Sequence, residues 1–198
     1  DELGHIKSKG REPGIGRGSA GIRCVIPKDA TSRVVEWSAH ARVWLGRYGI
    51  TEREVSKYGL CYSEQLGRVL LPTYDSKGLC SFQARRVSPT DPNPIKYVTR
   101  WKRKHIWYSP NFDDSSSVVL TEDVLSGIKC ARHISAAACT GTNLSDTNLL
   151  YLTERHSSII IFFDDDNTVV KKKQLALKNR LELYGSVKLI TGRSGDPK

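Results

Sequence analysis

Two short segments in the C-terminal half decide the predicted fold: Val118-Val119-Leu120-Thr121-Glu122-Asp123 and Ile159-Ile160-Ile161-Phe162-Phe163-Asp164-Asp165-Asp166. Each is an apolar run of strand length that is followed at once by acidic residues. Such runs are typical of strands in a parallel sheet that is covered on both faces. The two segments are therefore predicted to be buried strands with carboxylates at their carboxyl ends.

The residues around these runs continue an alternation of strands and helices. The hydrophobic pattern predicts helices over residues 124–133, 145–156 and 168–184, with Ser145 as an N-cap. Further strands are predicted over residues 136–139 and 187–190. This βαβαβαβ series indicates a mostly parallel sheet with right-handed crossovers.

The N-terminal half has a different organisation. Residues 1–33 are rich in Gly, Lys and Arg and predict a basic arm or linker, for which backbone contact with nucleic acid and simple solvation stay open. Residues 34–112 predict a basic α+β subdomain that binds nucleic acid. It contains a helix over residues 36–47, a Thr51–Glu54 capping box and a hairpin over residues 68–87. We expect the chain, which holds no methionine, to be a piece of a longer protein.

The composition favours a polyanionic partner in the cytoplasm. The 198 residues carry 31 Lys and Arg against 21 Asp and Glu, a net charge of +10. Such a charge suits nucleic acid first and an anionic membrane surface second. The five cysteines form no C-x-x-C pair, which argues against a zinc ribbon and indicates reduced thiols. No apolar run is long enough to span a bilayer.

The acidic residues after the two strands are predicted to bind a divalent cation. Alternation along an extended chain places Asp164 and Asp166 on one side, and Glu122 follows a strand of the same sheet. Carboxylates that lie so close repel one another and recruit a hard cation such as Mg²⁺. Helix capping at residue 168 is the alternative explanation. Asp123 and Asp165 are predicted to be capping or supporting residues.

The order of these motifs resembles the TOPRIM domain of primases and topoisomerases, over about residues 117–198. There a strand ends in Glu, a helix follows, and a later strand ends in Asp-x-Asp. The resemblance extends upstream to the basic subdomain of bacterial and bacteriophage DNA primases. The segments Gln83-Ala84-Arg85-Arg86 and Ile95-Lys96-Tyr97 match its pattern. The resemblance implies an α/β fold in which a basic α+β subdomain precedes a TOPRIM-like catalytic domain at residues 113–198.

The resemblance also implies roles for individual residues. Glu122, Asp164 and Asp166 would be catalytic metal ligands, and Asp196 matches a further acidic position. Basic positions that hold the template or the incoming nucleotide are matched by Arg68, Arg85 and Lys96. The neighbouring cations are candidates for the same contacts or for a solvated face: Arg86, Lys102, Arg103, Lys104 and Lys171.

Three departures from the family pattern stand out. Glu122-Asp123 replaces the usual Glu-Gly, and Ser126 replaces a common Asp. The zinc ribbon that precedes the basic subdomain in primases is missing, so no zinc is expected in this chain. Three explanations stay open: the ribbon was cut away, the protein starts primers by other means, or it does not prime.

The leading hypothesis is a DNA primase core that makes short RNA primers by two-metal nucleotidyl transfer. It implies Mg²⁺, or Mn²⁺ in its place, with single-stranded DNA template and ribonucleoside triphosphates as substrates. A replicative helicase is a further expected partner, and the host cytoplasm is the expected location if the protein is of bacteriophage origin. The alternatives are a TOPRIM metal-dependent nuclease and a non-catalytic primase relative that binds nucleic acid.

Overall fold

The computed structural model describes residues 24–88, 91, 94–101, 105–140, 143–164 and 168–190. These residues form a mixed α/β fold with two sheets, one of four strands and one of five. The strands are β1 (Cys61–Ser63), β2 (Arg68–Asp75), β3 (Gly78–Arg86), β4 (Tyr97–Trp101), β5 (Trp107–Tyr108), β6 (Ser117–Thr121), β7 (Ala136–Ala138), β8 (Ser158–Phe162) and β9 (Ser186–Leu189). The α-helices are α1 (Ala39–Tyr48), α2 (Glu52–Tyr58), α3 (Val124–Cys130), α4 (Asp146–Thr153) and α5 (Thr168–Leu181).

The first sheet is antiparallel with the order β1-β2-β3-β4. Its register places Arg68 opposite Arg86 and Val69 opposite Arg85. Neighbouring residues of a strand point to opposite faces, so the two pairs lie on different faces of the sheet. The predicted capping box is confirmed, because Thr51 and Glu54 close the N-terminus of α2 reciprocally.

Packed structure begins earlier in the chain than the predicted start at residue 34. Cys24 is buried, and the side chain of Asp29 accepts a hydrogen bond from the Ser63 hydroxyl at 2.8 Å. Thr31 forms a β-bridge with Tyr62 of β1. The last ten residues of the predicted arm therefore pack against the first sheet, while residues 1–23 lie outside the described part of the chain.

The second sheet has the order β5-β7-β6-β8-β9. The pairs β6–β7, β6–β8 and β8–β9 are parallel, which confirms the predicted βαβαβαβ series. Strand β5 pairs antiparallel with β7. Because β5 precedes residue 113 in the chain, the second sheet includes residues that were predicted to belong to the N-terminal subdomain. The helices end earlier than predicted because their last residues tighten into i→i−3 turns, such as the hydrogen bond from Tyr184 N to Leu181 O.

One apolar core joins the two sheets across α3. It includes Val69 of the first sheet, Leu125 of α3 and Ala136 of the second sheet. The Trp107 ring lies so close to Gly127 that a Cβ atom there would be 2.7 Å away. A second core fills the space between the opposite face of the second sheet and helices α4 and α5. None of the helices in the described ranges has the length and apolarity that a bilayer crossing requires.

Candidate active site and nucleic-acid interface

The predicted acidic residues lie at the carboxyl edge of the second sheet. Strands β6 and β8 are parallel neighbours, and Thr121 is paired with Phe162. Glu122 follows Thr121 directly, and Asp164 comes two residues after Phe162. The two acids therefore stand at the same edge, at the ends of adjacent strands. Glu122 is half-buried and Asp164 is exposed.

The end of β7 borders Glu122 on its other side. The backbone N–H of Cys139 donates to the Thr121 carbonyl at 2.9 Å. Burial raises the pKa of the Cys139 thiol, and the negative charge of Glu122 raises it further. This thiol is therefore protonated at neutral pH, and the Glu122 carboxylate lies close enough to act on it electrostatically.

Asp123 caps the helix that follows β6, as predicted. Its carboxylate accepts hydrogen bonds from the Ser126 backbone N–H at 3.1 Å and from the Ser126 hydroxyl at 2.9 Å. The Val124 N–H donates to the Gln83 side-chain oxygen of β3 at 3.3 Å. The turn that carries Glu122 is thus held by both sheets. The sequence analysis had missed this supporting role of Gln83.

A buried amide holds the turn after β8. The Gln174 side chain is 1% exposed, and its Nε2 donates to the Asp164 backbone carbonyl at 3.4 Å. Its spacing in α5, one turn before the buried Leu177, is the sequence signal that could have marked it as inward-facing. Asp165, Asp166 and Asp196 lie outside the described residues, so their placement stays a prediction.

The donor set at this edge fits a hard divalent cation, because its groups are carboxylate oxygens and the neighbouring thiol is protonated. Among the described residues, no three His, Cys, Asp or Glu side chains form a metal-binding group. Since Asp166 is not among them, the predicted triad with Glu122 and Asp164 stays a prediction.

Arg85 forms the centre of a basic cluster beside this edge. Its Nη2 donates to the Tyr48 hydroxyl at 2.9 Å, and its guanidinium lies 4.8 Å from the Tyr97 ring centroid. Two further donors, Nε and Nη1, are buried without a hydrogen-bond partner in the described part of the chain. Burial raises the pKa of Tyr97, and the charge of Asp123 raises it further, which places the cluster next to the acidic turn.

Two lysines complete the basic cluster of Arg85, Lys96, Lys129, Tyr48 and Tyr97. The Lys96 ammonium lies 5.9 Å from the Tyr97 ring centroid, and the Lys129 ammonium lies 5.2 Å from that of Tyr48. Three cations thus surround two tyrosine rings. Lys129 and Tyr48 had no assigned role in the sequence analysis, because each lies on a helix far from Arg85 along the chain.

Arg68 lies on the opposite face of the first sheet in a buried ion pair. Its Nε is 2.7 Å from the Asp91 carboxylate, and its Nη1 donates to the Ala84 carbonyl at 3.0 Å. Both side chains are 5% exposed. This environment gives Arg68 a structural role, since it connects the loop after β3 to the sheet. Its predicted contact with template or nucleotide stays untested.

The other predicted basic residues that the structure describes lie on different elements of the fold. Arg86 is half-buried at the end of β3, and Lys171 is exposed in the first turn of α5. Residues 102–104, which include Lys102, Arg103 and Lys104, lie outside the described part of the chain.

Solved structures of bacterial primases share this architecture. A structure of the Aquifex aeolicus primase with its zinc-binding and RNA polymerase domains matches with a TM-score of 0.55 and 21% identity. The match covers 81% of this chain and 45% of that one. A DNA primase domain from Pseudomonas aeruginosa matches with a TM-score of 0.54 and 21% identity, over 72% of this chain and 49% of that one.

The chain has a primase-like fold. The RNA polymerase domain of Mycobacterium tuberculosis primase DnaG, solved in complex with double-stranded DNA, matches with a TM-score of 0.53 and 20% identity, over 81% of this chain and 59% of that one. The chain thus spans about half the length of these structures. No family model matches the sequence, and no curated protein matches it.

Proposed function

We propose that this chain is the core of a DNA primase, which synthesises short RNA primers on single-stranded DNA. The observation that carries the proposal is the position of Glu122 and Asp164. In a primase-like fold, they follow adjacent parallel strands that end at the same edge of the sheet. Ligand sites of open α/β sheets lie at this edge.

The acidic residues would hold the catalytic ions. Glu122, Asp164 and Asp166 would be the ligands, with Asp196 as a further one. Bound Mg²⁺ would neutralise the triphosphate and lower the pKa of the attacking primer hydroxyl. The exposed carboxylate of Asp164 is open to a nucleotide from solvent, whereas the half-buried Glu122 is held by the capped turn. Asp123 would keep that turn in place.

The basic cluster would bind the phosphates. The Nε and Nη1 donors of Arg85 have no acceptor in the described part of the chain, so a phosphate oxygen that reached either one would satisfy it. Lys96 and Lys129 add positive charge on either side of it. Template contacts are assigned to Arg86, Lys102, Arg103, Lys104 and Lys171. A replicative helicase as a partner and a host cytoplasmic location belong to the same proposal.

The direct test is primer synthesis on a single-stranded template with ribonucleotides and Mg²⁺. Asp164→Asn should lower synthesis by more than about 100-fold, the upper range for residues that only support a metal ligand. DNA binding, measured by fluorescence anisotropy, should survive. Asp114→Asn is the matched control, because Asp114 is an exposed aspartate in the Phe112–Asp114 turn.

The outcomes separate the candidate functions. Unchanged synthesis in both Asp164→Asn and Asp166→Asn would disprove the proposed mechanism. Shortening of labelled single strands without new products would indicate a nuclease that uses the same acids on water. Salt-sensitive binding that is indifferent to Mg²⁺ and to these substitutions would indicate a non-catalytic module.

A further inference from the structure

An aromatic pocket lies between α2, β2 and β5, apart from the acidic edge and the basic cluster. Its volume is about 140 Å³, and its lining is Lys57, Tyr58, Pro72, Tyr74, Trp107, Tyr108 and Pro110. Four of these seven residues are aromatic and two are prolines, so the walls are flat and rigid. None of them has a role in the proposed chemistry.

The local fold builds the pocket from all three elements. Gly59 ends α2 with a φ of +64°, and a Cβ atom there would lie 3.7 Å from both the Pro72 ring and the Tyr74 hydroxyl. Trp107 is 4% exposed and packs against Tyr58, with ring centroids 5.7 Å apart. Tyr74 is 49% exposed. The pocket thus has a fixed floor of packed rings and one ring that is open to solvent.

The electrostatics of the pocket suit an anionic chain that carries aromatic groups. The Lys57 ammonium lies 5.3 Å from the Tyr58 ring centroid, and no carboxylate of the described residues forms an ion pair with it. Burial raises the pKa of Tyr58, Tyr74 and Tyr108, so these rings are uncharged at neutral pH. Glu54, whose charge also reaches Tyr58, is neutralised by Arg132 at 2.7 Å.

Among the described residues, Asp75 is a further carboxylate near the pocket: its charge raises the pKa of Tyr108, after the larger effects of burial and of Tyr151. In sequence, the stretch Lys102-Arg103-Lys104 precedes β5, a wall of the pocket, by two intervening residues. The net charge of the chain is +10. Charge complementarity therefore favours a polyanion over an acidic or neutral peptide as the ligand.

We propose that this pocket binds one unstacked pyrimidine base of single-stranded DNA, with Lys57 on the adjacent phosphate. An apolar cavity of about 150 Å³ accommodates benzene, so this volume suits one six-membered ring. Aromatic side chains hold single-strand bases by stacking, and every base has a face that can stack. The inference deepens the proposed function by naming a contact for the template strand, and it rests on that strand being a substrate.

The test compares two oligonucleotides with the same phosphates, oligo-dT and oligo-dT with abasic sites, in fluorescence anisotropy without Mg²⁺ or nucleotides. The wild-type chain should bind intact oligo-dT more tightly. Tyr74→Ala should weaken binding of the intact strand by about 10-fold, and it should leave the abasic strand nearly unchanged. Lys57→Gln should lower the slope of log affinity against log salt by about 0.7 for both strands.

Two exposed residues away from the pocket provide matched controls. Tyr184→Ala removes a tyrosine that is 54% exposed beyond α5, and Lys28→Gln removes an exposed lysine. Tyr184→Ala should leave the difference between intact and abasic strands unchanged, and Lys28→Gln should leave the salt slope unchanged.

The proposal is overturned if Tyr74→Ala affects both strands equally or neither of them. If Tyr74→Ala changes the binding of neither strand, the pocket would instead suit an aromatic side chain of a partner protein. Because the assay contains no Mg²⁺ or nucleotide, it is independent of primer synthesis. A failure of the Asp164→Asn test would overturn the proposed enzyme activity without changing the result for the pocket.

Discussion

The two faces of the first sheet hold an arginine in different environments, one buried and one half-buried. On one face, the Arg68 side chain is 5% exposed and paired with Asp91, and its Nη1 donates to a backbone carbonyl. On the other face, Arg85 is held by the rings of Tyr48 and Tyr97, and two of its donors have no acceptor in the described part of the chain. The charge of Arg68 meets a buried carboxylate, whereas that of Arg85 is stacked on aromatic rings.

This difference shows how a basic residue can be assigned to folding or to binding. An arginine that already has a buried carboxylate loses that partner when it binds a phosphate, which costs free energy. An arginine that is stacked on aromatic rings keeps those contacts while its free N–H groups bind an anion. The first environment predicts an effect on stability, and the second predicts an effect on affinity.

The largest expected effect is on stability, from breaking the Arg68–Asp91 pair. Asp91→Leu or Arg68→Met leaves one charge buried alone and should lower the free energy of unfolding by about 3–5 kcal/mol. The double variant should recover most of this loss, because no buried charge remains. Urea unfolding followed by circular dichroism measures all four proteins as a double-mutant cycle. Additive losses would show that the two side chains are not coupled.

The sequence predicted the elements better than it predicted these environments. The apolar runs of β6 and β8 and the capping box of α2 are local patterns, and their positions followed from periodicity and capping chemistry. The pairing of Arg85 with Tyr48 joins residues that are 37 positions apart. Composition marks both arginines as basic, and only tertiary packing decides which one meets a carboxylate.

The same limit applies to the acidic edge. Strand-end placement of Glu122 and Asp164 could be predicted, because parallel strands end at a common edge. Gln83 and Gln174, which hold the two turns, could not be assigned by pattern, since a lone Gln has no characteristic spacing. The two-residue strand β5 was also missed, because a run of that length has no period.

The next largest effect is on binding, from removing the Arg85 guanidinium. Arg85→Met should weaken the affinity for nucleoside triphosphate or single-stranded DNA by about 10-fold or more, the loss expected for hydrogen bonds to a charged group. The free energy of unfolding should fall by no more than about 0.5–1.5 kcal/mol, because only the hydrogen bond to Tyr48 is lost and the other two donors are unsatisfied in the free protein. Arg42→Met, at an exposed site on α1, is the control. A large loss of stability with unchanged binding would place Arg85 in the same class as Arg68.

A smaller effect is expected from removing the hydroxyl that positions Arg85. Tyr48→Phe keeps the ring under Lys129 and deletes the acceptor of the 2.9 Å hydrogen bond. The free energy of unfolding should fall by about 0.5–1.5 kcal/mol. In the Arg85→Met background, Tyr48→Phe should have almost no effect on stability, because both substitutions remove the same hydrogen bond. An equal loss in both backgrounds would assign the hydroxyl to another partner.

The smallest effect is the pH dependence of stability that a buried histidine causes. Unlike the two arginines, this histidine is uncharged in the folded protein at neutral pH. His156 is 2% exposed, its Nδ1 donates to the Ser115 carbonyl at 2.8 Å, and its Nε2 is buried without a hydrogen-bond partner in the described residues. Burial lowers its pKa below the ordinary value of 6.5, against the opposing effects of Ser115 and the Asp113 carboxylate, while Arg155 lowers it further.

The unfolded chain therefore binds the proton at a higher pH than the folded chain does. The free energy of unfolding should decline as the pH falls below 6.5, until the pH passes the lowered pKa of the folded state, and it should be fully retained above 6.5. Urea unfolding at a series of pH values measures this slope, and His156→Gln should remove the part that is due to this ring. Stability that instead rises with acidification, relative to the variant, would mean that the folded state favours the charged imidazolium. His156 would then resemble Arg68, with Asp113 as the counterpart of Asp91.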